Sequence, residues 1–146
     1  MARAIFAIPG DINTLTGGYG YDRRVLALLS DCGVDAAHGQ LPGSFPFPTD
    51  ADIAATIAAL RAAPRDAVLL IDGLAFAALP SNAIATIKQK IVALIHHPLG
   101  YEAGLTQAQS KALVALERAA LVHAEKIVVT SAPTCDTLVK IGRAHV

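Results

Sequence analysis

The sequence contains no tryptophan, a single methionine and only two cysteines, and it has no excess of charge of either sign. Twelve lysines and arginines balance twelve aspartates and glutamates, so no broad basic field favours nucleic acid or an acidic membrane. Cys32 and Cys135 are far apart and form no Cys-x-x-Cys motif, a usage that suits a reducing cytosol. Cys32 falls on the apolar side of a predicted helix, which indicates a buried thiol.

Long hydrophobic runs are also missing. The first apolar run is short and stops at Pro9-Gly10-Asp11, so the sequence predicts no signal peptide. No run approaches the ~20 apolar residues that a membrane-spanning helix needs. We therefore expect a cytoplasmic protein, and peripheral attachment to the inner face of a membrane stays open.

The chain does have enough apolar residues for one substantial core, at 53% of 146 residues. Apolar runs of strand length alternate with helical patterns, and the two runs at 67–71 and 91–95 are continuously apolar, as in parallel strands buried on both faces. This alternation predicts an α/β fold with a doubly wound parallel sheet. The predicted strands are 3–8, 34–38, 67–71, 91–95 and 127–130. The proline-rich segment 41–48 is predicted to be a surface loop.

Apolar spacing and capping residues predict the helices between these strands. The first should run from 20 to 31, with Tyr21, Val25, Leu28, Leu29 and Cys32 on its inward face. Thr49 should cap a helix over 50–63, and Ser81 or Asn82 a shorter one over 81–90. Thr106 and Gln109 form a capping-box pattern before the longest helix, and Ser131 should cap the last one. The predicted inward residues of the second and the longest helix are Ile53, Ile57, Leu60, Leu113, Leu116 and Ala120.

The segment Gly17-Gly18-Tyr19-Gly20-Tyr21-Asp22-Arg23-Arg24 lies between the first predicted strand and the first predicted helix. A glycine-rich loop before a helix lets backbone N–H groups approach an anion without a Cβ in the way. A dinucleotide site is disfavoured, because the third glycine of G-x-G-x-x-G is replaced by Arg23 and no acidic residue ends the second strand at His38-Gly39. The Walker pattern is absent. The alternative is that these glycines only permit a tight loop.

Polar residues also follow two other predicted strands. Asp72 ends the third strand, and His96-His97-Pro98-Leu99-Gly100-Tyr101-Glu102 follows the fourth. Because ligands of doubly wound sheets bind at the carboxyl ends of the strands, we expect the glycine-rich segment, Asp72 and His96 to converge there. A histidine and carboxylates could bind sugar hydroxyls or assist proton transfer. The competing interpretations are a turn-capping aspartate and a packed histidine. Adjacent histidines diverge and no third ligand is evident, so no metal is expected.

These segments resemble the N-terminal domain of a family-4 retaining glycosyltransferase of the GT-B fold. The resemblance covers residues 4–139. It rests on the glycine-rich segment, on Ile71-Asp72-Gly73-Leu74, on Ile95-His96-His97-Pro98-Leu99-x-Tyr101-Glu102 and on Val128-Val129-Thr130-Ser131, in that order. It implies a Rossmann-like, acceptor-side half of a two-domain enzyme that moves a sugar from a nucleotide-sugar donor to a glycan or lipid-linked acceptor. It implies no cofactor and no metal.

The resemblance also implies roles for particular residues. The amides of Gly17 and Gly18 would approach the donor diphosphate, and His96 would lie near the reacting sugar as the catalytic residue. The acceptor pocket would be lined by Tyr19, Arg23, Asp72, His97 and Glu102. The chain departs from the family in one decisive respect, since the C-terminal domain with its Glu-x7-Glu pattern is missing. We therefore expect no transferase activity from this chain alone.

The last six residues suggest why that domain is missing. Ile141-Gly142-Arg143-Ala144-His145-Val146 is the translation of ATC GGA AGA GCA CAC GTC, the core of a common short-read sequencing adapter. We expect native sequence over residues 1–139 and a non-native tail over 140–146. Two other classes stay open, a non-catalytic α/β binding module and a nucleotide-dependent oxidoreductase or epimerase.

Overall fold

The computed structural model describes residues 2–142, which form a five-stranded, wholly parallel sheet of order β2-β1-β3-β4-β5. The strands are β1 (Ala2–Pro9), β2 (Val34–Leu41), β3 (Val68–Asp72), β4 (Lys90–Ile95) and β5 (Lys126–Val129). Each predicted strand is present with ends within three residues of those expected. The predicted doubly wound α/β fold is confirmed, and it is Rossmann-like.

Helices connect the strands and cover the sheet. They are α1 (Gly17–Asp31), α2 (Asp50–Ala62), α3 (Gly73–Phe76), α4 (Ser81–Ile84), α5 (Gln107–Leu121) and α6 (Ala132–Ile141), with a short 3-10 helix at Leu99–Tyr101. The connection through α1 runs toward the β2 edge, whereas those through α2, α3–α4 and α5 run toward β5. Because parallel crossovers are right-handed, α1 covers one face of the sheet and the other connecting helices cover the opposite face.

The larger part of the core lies between the sheet and helices α2 to α6. Buried side chains of α2 and α5 pack there as predicted: Ile57, Leu60, Leu113 and Ala120 are buried, with Ile53 and Leu116 packed beside them. Thr49 caps α2, Thr106 and Gln109 form the predicted capping box of α5, and Ser131 caps α6. These local signals were sufficient because each depends on side chains within one helical turn.

The glycine-rich segment is the first turn of α1 and not a loop before it. The Thr16 hydroxyl accepts a hydrogen bond from the Tyr19 amide (3.2 Å) and so starts the helix three residues earlier than predicted. Thr16 therefore takes the N-cap position that the glycines had obscured in the sequence. Arg23 consequently lies in the second turn of α1, where the helix dipole has little effect.

The prediction that Cys32 is buried was wrong, since this thiol is exposed. Tyr21 and Leu28, predicted to face inward, are also substantially exposed. The apolar side of α1 borders an open cleft of about 310 Å³ that extends over β3, β4 and β5, so this side of the helix is only partly covered. The amphipathic pattern was interpreted correctly as a helix, but the pattern cannot show how much of the opposing sheet face is covered.

Exposure gives Cys32 a testable property. We expect Cys32 to react with an aromatic disulfide reagent before Cys135, which is half-buried in α6. The measurement is the rate of thiol release under native conditions, compared with that of the Cys32→Ser and Cys135→Ser variants. A fast phase that persists in Cys32→Ser would contradict the exposed position.

The predicted helix over 81–90 was also wrong. Only Ser81–Ile84 is helical, its N-cap position is Pro80, and turns lead to β4. The Ser81 hydroxyl does not cap the helix. It lies 2.8 Å from Nε2 of His123, a residue just after the C-terminal end of α5. Near the other end of this segment, Gln89 donates to the carbonyl oxygen of Ala63 (2.7 Å). After α4 the backbone forms only turn bonds, from Thr86 to Ala83 and from Ile87 to Ile84, and side-chain bonds hold both ends of the segment.

The segment 41–48 is only partly a surface loop. Leu41 is the last residue of β2, and Phe45 is buried in the main core, which anchors the segment against the sheet. The predicted tail begins inside the described part of the chain, where Ile141 ends α6 and packs in the core, and its residues 143–146 lie outside the described residues. Within residues 2–142, no helix has the length and apolar character needed to cross a bilayer.

Candidate functional site

A cavity of about 240 Å³ opens at the carboxyl ends of the strands, next to the neighbouring strands β1 and β3, whose following connections run in opposite directions along the sheet. Strand order reverses at this point, which is where doubly wound sheets bind their ligands. The cavity is lined by Thr16, Gly18, Tyr19, Asp72, Leu74, His96, His97, Leu99 and Glu102. The structure thus brings together the three segments that the sequence predicted to converge.

His96 lies at the centre of this group, directly after β4. Its backbone carbonyl accepts a hydrogen bond from the hydroxyl of Thr134 (3.1 Å). Its ring nitrogen Nε2 lies 2.8 Å from Oδ1 of Asp22 and 3.4 Å from Oδ2 of Asp72. The ring of Tyr21 meets the imidazole edge-on, with centroids 5.3 Å apart. These contacts hold both the backbone and the imidazole ring of His96, so the ring is kept in one orientation.

Asp22 is the most unusual member of the site, because its side chain on α1 is 0% exposed. Burial raises the pKa of Asp22 to about 7, and the hydrogen bond from His96 opposes this rise only in part. No donor among the described residues reaches its Oδ2 atom. The neighbouring Asp72 carboxyl also raises the pKa of Asp22. Asp22 therefore keeps its proton to a higher pH than an exposed aspartate does.

In Asp72 and His96, by contrast, the pKa shift favours the charged form of the side chain. Burial raises the pKa of Asp72, but hydrogen bonds from His96, Asp22 and the Leu74 amide outweigh it and leave the pKa below its usual value. Burial also disfavours the charged form of His96, but its hydrogen bonds to the two carboxyls raise its pKa to about 9. At neutral pH the site therefore holds an ionised Asp72 beside a cationic His96.

The first turn of α1 forms the wall opposite His96. A Cβ added at Gly18 would lie 3.6 Å from Cδ2 of His96, so this turn faces the imidazole across a gap that one methyl group would fill. The hydroxyl of Tyr19 donates to the carbonyl oxygen of Pro9 (2.5 Å) and is partly buried. Burial and the nearby carboxylates of Asp72, Asp22 and Asp11 raise the pKa of Tyr19, so it stays a neutral donor.

The remaining predicted site residues take different places. His97 and Glu102 line the cavity, and the Glu102 side chain is exposed at its mouth. Gly17 lies just outside, with nothing within 4 Å of an added Cβ. Arg23 is not a lining residue, since its Nη1 atom donates to the carbonyl oxygens of Ile12 (2.6 Å) and Thr14 (3.2 Å). These bonds hold the segment before α1 and account for Arg23 without a ligand.

Two buried carboxylates were missed by the sequence analysis. Asp22 stands in the glycine-rich segment, but it received no role. A signal was present, because residues 22, 25, 26 and 29 share a helical face and the other three are apolar. Glu117 of α5 is likewise 0% exposed, and it occupies a position between the inward-facing Leu113 and Ala120. A carboxylate on an apolar face is a candidate for burial and for an unusual pKa.

One oxygen of Asp22, one of Asp72 and a ring nitrogen of His96 lie within 4.8 Å of one another. This spacing would suit a cation, but the contacts of His96 with Asp22 (2.8 Å) and Asp72 (3.4 Å) also hold the three side chains together. We therefore interpret the cluster as a histidine held by two buried carboxyls.

Comparison with known proteins assigns no family, since no protein-family model matches the chain and no curated protein is significantly similar to it. The class is therefore defined by fold and site alone. The chain is a Rossmann-like α/β domain with a buried Asp–His–Asp cluster at the carboxyl edge of its sheet.

Proposed function

We propose that this chain is the acceptor-side domain of a retaining glycosyltransferase of the GT-B fold. The observation that supports the proposal best is the convergence of the glycine-rich turn, Asp72, His96 and Glu102 around one cavity at the switch point of the sheet. Their segments are three of the four that carry the resemblance. In this proposal a nucleotide sugar is the donor substrate, a glycan or lipid-linked sugar is the acceptor, and neither a metal nor an organic cofactor takes part.

The start of α1 is suited to the donor diphosphate. The amides of Gly17 and Gly18 are among the first N–H groups of a 15-residue helix, and they find no acceptor among the described residues. Unpaired amides at a helix N-terminus attract phosphate oxygens. A side chain at Gly18 would enter the space in front of His96, which would explain why a glycine stands at this position.

His96 is suited to the reacting sugar. As a cation held by two carboxyls, it can donate a hydrogen bond to an oxygen whose negative charge grows in the transition state. In the proposed front-face displacement, the bond from the anomeric carbon to the diphosphate oxygen breaks as the acceptor oxygen bonds to the same face. The acceptor proton passes to the leaving diphosphate, so no separate base is needed. The donor nucleotide would be held by a second domain that these 146 residues do not contain. The predicted cytoplasmic location belongs to the same proposal.

The test is a transferase assay with UDP-, GDP- and ADP-sugars. We expect no turnover from the 146-residue chain, and turnover with retained anomeric configuration from the longer protein obtained by re-sequencing the source DNA past codon 140. In that protein, His96→Ala should lower kcat about 100-fold or more, the usual loss for a transition-state donor. Gly18→Val should lower turnover by blocking the cavity.

The matched control is Gly20→Ala, whose added methyl group meets only the end of the Arg23 side chain, at an ordinary contact distance of 3.6 Å. It should leave turnover close to that of the parent protein. Unchanged turnover in both His96→Ala and Gly18→Val would contradict the proposed site. A reading frame that ends at codon 146 in the source DNA would contradict the two-domain enzyme.

A further inference from the structure

We propose that Asp22 is a positioning residue: it holds His96 with a proton on Nε2, so that Nδ1 is the ring atom that meets the ligand. The proposal concerns a residue to which the glycosyltransferase resemblance gives no role. It deepens the proposed function, and it rests on that function only for the nature of the ligand oxygen.

The geometry around the imidazole carries the first step. Nε2 lies 2.8 Å from Asp22 and 3.4 Å from Asp72, and both carboxyls are buried, so this nitrogen faces acceptors only. It must therefore carry a proton in both the neutral and the cationic ring. Nδ1 forms no hydrogen bond to any described residue, so it is the ring nitrogen left for a ligand of the cavity that His96 lines. The structure thus assigns Nε2 to the protein and Nδ1 to the ligand.

Asp22 and not Asp72 is assigned as the positioning residue because of the other hydrogen bonds that each carboxyl forms. Asp72 also accepts the Leu74 amide (2.8 Å) and caps α3, so a structural role accounts for its position. Asp22 has no comparable structural role. Its Oδ1 atom is hydrogen-bonded to His96, and its Oδ2 atom has no donor from the described residues. A fully buried carboxyl is costly unless something compensates it. Among the described residues, His96 is the hydrogen-bond partner that compensates this burial.

The groups that face the imidazole determine its charge. Asp22 and the neutral ring of Tyr21 face it from α1, and Asp72 faces it from β3. From α6, the hydroxyl of Thr134 reaches only the backbone carbonyl of His96. No cation from these elements opposes a charge on His96. A cationic imidazole whose free N–H is Nδ1–H would select an oxygen that carries negative charge, such as a diphosphate oxygen, over a donor group.

The experiment is a pH titration of the histidine side chains of the whole chain by ¹H–¹⁵N NMR. In the wild-type protein we expect His96 to titrate well above the ordinary histidine pKa of 6.5, and its neutral form at high pH to be the Nε2–H tautomer. In Asp22→Asn, a near-isosteric change, the His96 titration should move down by about one pH unit or more, as loss of an adjacent opposite charge predicts. Asp31→Asn, at the far end of the same helix, is the matched control and should not move it.

Two results would overturn the proposal. One is an Nδ1–H neutral tautomer in the wild-type chain, which needs no substitution to observe. The other is an unchanged His96 titration in Asp22→Asn that keeps the native amide spectrum. Uridine diphosphate added to the longer protein, which would carry the nucleotide-binding domain, then separates this proposal from the proposed function: it should shift the His96 signals there. If tautomer and titration are as expected but uridine diphosphate has no effect, Asp22 positions His96 and the diphosphate role is wrong.

Discussion

Replacing Glu117 with glutamine should raise the free energy of unfolding by about 3 kcal/mol above pH 7. Glu117 is fully buried in α5, and neither of its carboxylate oxygens forms a hydrogen bond of ordinary geometry with a described residue. Burial raises the pKa of this group from 4.5 to about 7, although the backbone N–H of Leu99 opposes the rise in part. The native protein therefore keeps a proton on Glu117 that the unfolded chain has already lost.

The sign of the pH dependence follows from this difference. Below pH 4.5 Glu117 is protonated in both the folded and the unfolded state, so its ionisation does not affect the free energy of unfolding. Between pH 4.5 and about 7 the folded state binds more protons, so the stability falls as the pH rises, and above about 7 the whole loss is present. Glutamine is neutral and nearly the same size, so its advantage should grow from near zero to its full value over that range.

The measurement is urea unfolding of wild type and Glu117→Gln at pH 5, 6, 7 and 8. Glu125→Gln is the control, because Glu125 is exposed and its contact with Lys90 (3.7 Å) is a surface ion pair worth little. A constant difference between Glu117→Gln and wild type across these pH values would show that Glu117 does not titrate in this range.

Replacing Gly100 with alanine should lower the free energy of unfolding by about 3 kcal/mol, at the upper end of typical overpacking losses. An added Cβ would lie 2.4 Å from Cγ2 of Val114 and 2.9 Å from the backbone oxygen of Ser110. The valine side chain could turn away, but the backbone of α5 cannot. The Ser110 hydroxyl also donates to the carbonyl oxygen of Gly100 (2.6 Å), which keeps the two segments at this distance.

Urea unfolding of Gly100→Ala and Gly17→Ala measures this effect against a matched substitution. The Gly17 position has nothing within 4 Å of an added Cβ and lies in a helix, so alanine should be neutral or stabilising there, by up to about 1 kcal/mol. Equal stabilities of the two variants would mean that α5 and the segment at Gly100 separate more easily than their packing indicates.

Both predictions concern one structural feature, the support that α5 gives to the segment after His96. Gly100 and Leu99 contact α5 directly, and the same short segment carries His97 and Glu102 into the cavity. We therefore expect Gly100→Ala to disturb the His96 NMR signals as well as the stability. The site depends on this packing because a segment of irregular backbone has no hydrogen-bonded ladder of its own to hold it.

Much of the candidate site could be predicted from the sequence. Asp72 and His96 each follow an apolar run, and parallel strands bring their carboxyl ends to one edge, so their convergence followed from order and periodicity. The start of α1 and the exposure of Cys32 could not be predicted in this way. The first depended on whether Thr16 or a later residue caps the helix, and the second on how far the sheet face opposite α1 is covered.

The fold class, the five strands and the caps of α2, α5 and α6 could be predicted from the sequence, because they follow from periodicity and from contacts within one turn. The charges of the site depend on how the chain folds. Asp22 and His96 are 74 residues apart in the chain, and their protonation depends on a 2.8 Å contact and on the burial around it. Desolvation and hydrogen bonding act over distances in space, so no local pattern of residues can specify them.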